Sequence, residues 1–179
     1  MSQPQVLLQS RRFRVIRHQV AARDGRLHAH DVVEHPGSVT ILPILADGRV
    51  CLIRNRRPAV GQTLIELPAG TLEGDENPES AALRELAEET GYRADHVRLL
   101  TEFWMSPGLV NERMRLYLAT GLVDGQQQLD ASEEIDRWVV PWDEALALVA
   151  SGAIQDAKTL VGLLWYERFG PRGQAPAAE

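Results

Sequence analysis

The chain has 179 residues, of which 44% are hydrophobic and 25% charged, and its formal net charge is −6. That balance fits one soluble globular domain, with room for a small N-terminal addition, and offers no Lys/Arg block for a nucleic-acid groove. One cysteine, Cys51, excludes an internal disulfide framework and fits a reducing compartment, and no stretch reads as a signal peptide or a membrane span, so a cytoplasmic protein is expected.

In chain order, the pattern from Arg12 to about Val33 predicts two strands turning at Asp24–Gly25. The stretch SVTILPILADGRVCLIR (38–54) predicts a second hairpin with its turn at Asp47–Gly48. TLIELPAG (63–70) reads as a short apolar strand running into Gly70. A helix follows, then strands near HVRLLTEFWM (96–105), RMRLYLATG (113–121) and IDRWVVP (135–141). WDEALALVASG (142–152) and DAKTLVGLLWYERFG (156–170) read as amphipathic helices, each closing on a glycine. The tail, PRGQAPAAE, is small and polar and is expected to be disordered. The result is an α/β fold: a mixed sheet with helices on its faces, and the first hairpin as an addition.

The first helix carries the chemistry. Asn77 suits its N-cap, Pro78 its first position and Gly91 the left-handed residue that ends it. Stepping by 3.6 residues per turn, Leu83, Leu86 and Thr90 fall on one side, with Ala82 and Ala87 flanking. Glu85, Glu88 and Glu89 fall on the other, with Arg84 one turn before Glu88. Like charges at that spacing repel by roughly 0.2–0.5 kcal/mol per pair. Either water screens these carboxylates on an ordinary surface, or a cation sits among them.

The wider frame bears on that choice. Gly70, Glu76, Arg84, Glu85, Glu88, Glu89 and Gly91 stand at fixed separations. Seven such matches, each at roughly 6–9% on average residue usage, put coincidence far below one in a thousand. The frame from Gly70 to Tyr92 resembles the signature of the Nudix hydrolases, G-x5-E-x7-R-E-U-x-E-E-x-G-U, with U bulky and aliphatic. Every fixed letter is met, and the one departure is Tyr92 at the last U. The resemblance implies an α/β/α sandwich, hydrolysis of a nucleoside diphosphate linked to another group, and a divalent cation, Mg²⁺ or Mn²⁺. It assigns Glu85, Glu88 and Glu89 to the metal with the Ala69 carbonyl, and gives Glu76 a supporting role in the loop. Hard oxygen ligands suit Mg²⁺, and a bound cation neutralises and orients a pyrophosphate and activates water.

The register of MSPG (105–108) narrows the resemblance. Pro107 lies fifteen residues past Tyr92, the place of a proline in the ADP-ribose pyrophosphatase subgroup. By that resemblance Ser106, Pro107 and Gly108 meet the substrate. Arg54 and Arg57 align with two subgroup arginines, and Arg57 is a clamp for the substrate's phosphates or terminal ribose. Asn55 and Arg56 depart from the usual pair between them. Glu66 resembles a substrate-positioning carboxylate, and Glu112 either orients the nucleotide or pairs with Arg113 or Arg115. The subgroup's general base is a glutamate on a late loop. Here that is Glu133, with Glu134 second and Glu88 or Glu89 on the helix as alternatives.

His28 and His30 share a strand face without an apparent third ligand, and Trp104, Trp138, Trp142 and Trp165 read as core. The domain expectation is residues 1–36 as an N-terminal β-hairpin region at a dimer interface, 37–170 as the catalytic domain and 171–179 as the tail. The resemblance implies a homodimer that cuts ADP-ribose into AMP and ribose 5-phosphate. The alternatives are another nucleoside diphosphate derivative, such as a nucleotide sugar or dinucleoside polyphosphate, or a sensing module without hydrolysis.

Overall fold

A computed structural model describes residues 4–10 and 13–170. Arg12, at the start of the expected first hairpin, and the expected disorder of 171–179 lie outside the described residues.

The N-terminal addition is a sheet of three antiparallel strands, β1 (Gln5–Gln9), β2 (Arg14–Ala21) and β3 (Leu27–Glu34), in that spatial order. The predicted turn is there: Gly25 takes φ 79°, and Asp24 accepts from the Arg26 N–H at 3.0 Å. Strand β1 was not anticipated, and its residues Val6, Leu7 and Leu8 are all exposed. The sheet is joined to the rest of the chain where Val33 bridges Val110 and the His35 N–H donates to Asn111 Oδ1 at 2.7 Å.

The remainder contains β4 (Ser38–Pro43), β5 (Val50–Arg57), β6 (Gln62–Glu66), β7 (Ala69–Thr71), α1 (Pro78–Thr90), β8 (Arg93–Trp104), β9 (Arg113–Val123), β10 (Ile135–Val140), α2 (Trp142–Ala150) and α3 (Ala157–Phe169). The expected second hairpin is not a paired ladder. Its turn forms, with Gly48 at φ 82°, but β4 lies in the mixed sheet β7-β4-β9-β8 while β5 lies in the antiparallel sheet β10-β5-β6. One bridge, Ile44 to Val50, is what remains of the pairing. Both edges of β4 are taken, by β7 antiparallel and β9 parallel, so β5 pairs elsewhere.

Alternation along the central strands builds two cores. Val39 and Ile41 of β4, Cys51 of β5, and Tyr117 and Ala119 of β9 pack with Ala81, Ala82 and Leu86 of α1. Leu42, Leu52, Leu116 and Leu118 point the other way, to Trp142 and Ala145 of α2 and Leu163 and Tyr166 of α3. Helices thus cover both faces, which is why every residue of β4 is buried. This is the expected α/β/α sandwich. Of the tryptophans, Trp142 is core, edge-on to Tyr166 at 5.3 Å, but Trp104 is half exposed beneath the Arg113 guanidinium.

Helix α1 has the expected ends. Asn77 Oδ1 accepts from the Glu79 N–H at 2.9 Å, Pro78 follows, and Gly91 takes φ 77°. Its faces differ from expectation: Leu83 is exposed, whereas Glu85 and Glu89 are buried with Leu86 and Thr90. The two glutamates enter because α1 packs on β7, where Gly70 presents no side chain. Asn77→Ala should lower stability by about 1 kcal/mol, read as a shift in the denaturant midpoint at constant slope.

Candidate active site

The frame from Gly70 to Tyr92 acquires a physical basis at Gly70. Its φ is not positive; the constraint is space. A Cβ there would lie 1.9 Å from Glu85 Oε1 and 2.0 Å from its carboxyl carbon, so only glycine lets that carboxylate lie against β7. Next to it the Ala69 N–H donates to Glu89 Oε2 at 2.8 Å. Both carboxylates are thereby delivered to one strand by one helix face.

Arg84 organises the rest. Its Nε and Nη2 grip Glu76 at 3.0 and 2.9 Å, while Nη1 donates to Glu85 at 2.8 Å and Glu88 at 2.9 Å. Glu76 thus ties the loop before α1 to Arg84. The three helix carboxylates divide between two partners: Glu85 and Glu88 turn to Arg84, and Glu89 turns to Ala69. Among the described residues no three His, Cys, Asp or Glu side chains are gathered closely enough to hold an ion. The same holds on β2 and β3, where His18 lies opposite His30 on the strand face that carries His28.

Burial and repulsion from neighbouring carboxylates raise both buried helix carboxyls. Burial raises the Glu85 carboxyl above its ordinary value against the pull of Arg84, and Glu88 and Glu133 add to the rise. Burial likewise pushes Glu89 up to about 8, the Ala69 N–H and Arg57 opposing it and Glu85 and Glu133 reinforcing it. Two buried carboxylates crowded by further acidic groups offer hard oxygen ligands in surroundings where a divalent cation would restore charge balance. In donor type and burial Glu85 and Glu89 suit such an ion, which would have to draw Glu85 and Glu88 away from Arg84.

Glu133 is the loop glutamate whose charge reaches Glu85 and Glu89. Its Oε2 accepts from the Asp130 N–H at 3.0 Å, and its own N–H donates back to Asp130 O at 2.9 Å. Glu134 is exposed, and its carbonyl accepts from the Arg56 N–H at 3.1 Å.

The expected substrate residues divide. Glu66 is wholly buried, and its two oxygens are held by Arg57 Nε and Nη2 at 2.8 and 2.7 Å and by Lys158 Nζ. Burial alone would raise this carboxyl, but the two cations outweigh it and hold it below its ordinary value. Any influence of Glu66 on a bound molecule therefore runs through Arg57, whose side chain is 40% exposed. Sequence reasoning missed Lys158, which Asp156 also holds at 2.9 Å. The available signal was a lysine in register with Gly162 and Tyr166 on the buried stripe of α3.

Arg54 is exposed, with its guanidinium 4.2 Å from the Trp138 ring centroid. Ser106, Pro107 and Gly108 form an exposed turn, Ser106 O accepting from the Leu109 and Val110 N–H groups at 2.9 Å. Glu112 does not pair with Arg113 or Arg115, which both turn to Glu102; it accepts instead from Ser38 Oγ at 2.7 Å.

A family model, the NUDIX domain, matches residues 34–161. The chain belongs to the Nudix family. It is a Nudix hydrolase, and the frame from Gly70 to Tyr92 is its Nudix box. The chain is 36% identical over 146 residues to the ADP-ribose pyrophosphatase of Bacillus subtilis, covering 80% of this chain and 79% of that protein. It is 35% identical over 161 residues to a GDP-mannose pyrophosphatase of Escherichia coli, covering 82% of each. A solved ADP compounds hydrolase shares the Nudix fold with a TM-score of 0.78 at 22% identity, covering 96% of this chain and 98% of that one.

Proposed function

We propose that this Nudix hydrolase is a Mg²⁺-dependent pyrophosphatase, with Mn²⁺ as the alternative ion, that cuts ADP-ribose into AMP and ribose 5-phosphate. The observation that carries the reading is the burial of Glu85 and Glu89 on the box helix against Ala69 and Gly70 of β7. Glu85, Glu88, Glu89 and the Ala69 carbonyl would hold the ion. When bound, it would neutralise the diphosphate and make water a better nucleophile.

The protein's own groups do the rest. Glu133 takes the proton from the attacking water as general base. Arg84 keeps Glu85 and Glu88 in place. Arg57, fixed by Glu66, and Arg54 supply cationic groups for the diphosphate or terminal ribose. Ser106, Pro107, Gly108 and Glu112 line the nucleotide side, the register they share with the ADP-ribose pyrophosphatase subgroup.

A reducing cytoplasm suits the single buried cysteine. The exposed apolar residues Val6, Leu7, Leu8, Val20 and Leu27 support residues 1–36 as the interface of a homodimer, with 37–170 as the catalytic domain.

The similarity to a GDP-mannose pyrophosphatase supports a second reading, in which a nucleotide sugar is the substrate. A panel of nucleoside diphosphate derivatives assayed with Mg²⁺ separates the two. ADP-ribose should show the highest kcat/KM by about tenfold or more, equivalent to about 1.4 kcal/mol of transition-state binding. A tenfold preference for GDP-mannose would transfer the assignment to the second reading.

A further inference from the structure

The segment that carries Glu133 is fastened to the box helix at the point where helices leave their carbonyls unsatisfied. Three successive carbonyls at the C-terminus of α1 each receive a donor from it. Gln128 N–H donates to Glu88 O at 2.9 Å, Gln127 Nε2 to Glu89 O at 2.5 Å, and Arg137 Nη1 to Thr90 O at 3.0 Å. The backbones touch as well: a Cβ on Gly91 would lie 2.6 Å from Gly125 O.

The two stems of the loop are also tied to each other. Arg137 Nη1, on β10, pairs with Asp124 Oδ1 at 2.6 Å, just after β9. Gln127 Nε2 reaches across to Ile135 O at 3.4 Å. The Arg137 guanidinium lies 4.7 Å from the Tyr92 ring centroid, and Tyr92 is the one residue at which the box departs from its aliphatic pattern. An aliphatic side chain there would fill space but give the guanidinium no ring face.

We propose that Gln127, Arg137 and Tyr92 form a clamp that sets the position of the Glu133 loop relative to the box helix, with Gln127 its principal positioning residue. The inference rests on the reading of Glu133 as the base. A loop glutamate free to swing would seldom meet the water it must deprotonate, whereas one fastened to the helix bearing the ion ligands moves with them. The donors of the clamp are spent on backbone carbonyls and on Asp124 rather than on substrate, so its loss should affect the chemical step and leave binding alone.

The test is a double-mutant cycle on the full chain, with ADP-ribose or the best substrate of the panel. Gln127→Met removes the amide donor with little change in length. It should lower kcat by about tenfold, leaving KM and the Mg²⁺ concentration for half-activation within about twofold. In a Glu133→Gln background the same substitution should cost nothing further, because its effect is transmitted through that carboxylate. Tyr92→Leu, which restores the aliphatic residue, should lower kcat by a smaller factor in the same pattern, and melting curves check that each variant is folded. Full activity of Gln127→Met beside a crippled Glu133→Gln overturns the clamp while the base assignment stands, as does a loss that multiplies independently with Glu133→Gln. A silent Glu133→Gln overturns both.

Discussion

Glu89→Gln is expected to remove most turnover while the protein stays folded. Glu89 is 3% exposed, and its Oε2 accepts from the Ala69 N–H. The amide oxygen of glutamine can keep that bond, and the apolar contacts of Leu86, Ala81 and Ala82 are unchanged. On the proposed reading, what is lost is one hard anionic ligand. Removing one group that stabilises developing charge costs about 10²–10³ in kcat, and a loss of that order is expected here. Higher Mg²⁺ should recover part of it, because the defect lies in holding the ion. The checks are steady-state kinetics across a Mg²⁺ titration and a melting curve. A folded variant with near-normal activity would remove Glu89 from the site.

The second large effect belongs to the loop. Glu133→Gln preserves size and the acceptor that receives the Asp130 N–H, but removes the group that takes a proton. A fall in kcat of roughly 10²–10⁴ is expected, with KM and Mg²⁺ activation nearly unchanged. Glu134→Gln should be mild, since Glu134 is exposed and it is Glu133 whose charge is felt at Glu85 and Glu89. If Glu134→Gln is the crippled variant instead, the base is one residue later. If both are silent, the base is a helix glutamate, Glu88 or Glu89, or a metal-bound hydroxide alone.

What could be read from the sequence was mostly local. Asn77, Pro78 and Gly91 declare the ends of α1 because caps depend on a few neighbouring residues. The box spacing found the acidic group, since glycine at 70 and the glutamates about two and three turns into the helix stand in fixed register. The helix faces were misjudged because periodicity ranks carboxylates as solvent-facing. It cannot see that a glycine on a neighbouring strand opens space for Glu85 and leaves Leu83 outside. The pairing of β4 was hidden for a related reason. Its parallel neighbour β9 comes from far along the chain, while the local turn at Asp47–Gly48 suggested β5. The ties among Lys158, Glu66 and Arg57 are likewise tertiary, and no short motif announces them.

The most direct test of the central claim is to incubate the protein with ADP-ribose and Mg²⁺ and separate the products by ion exchange. The account predicts AMP and ribose 5-phosphate in equal amounts, formation stopping when a chelator removes the cation and resuming when Mg²⁺ or Mn²⁺ is restored. Formation of AMP at an undiminished rate in the chelator would contradict a reaction that depends on an ion held by Glu85, Glu88 and Glu89. So would unchanged ADP-ribose under every ion condition.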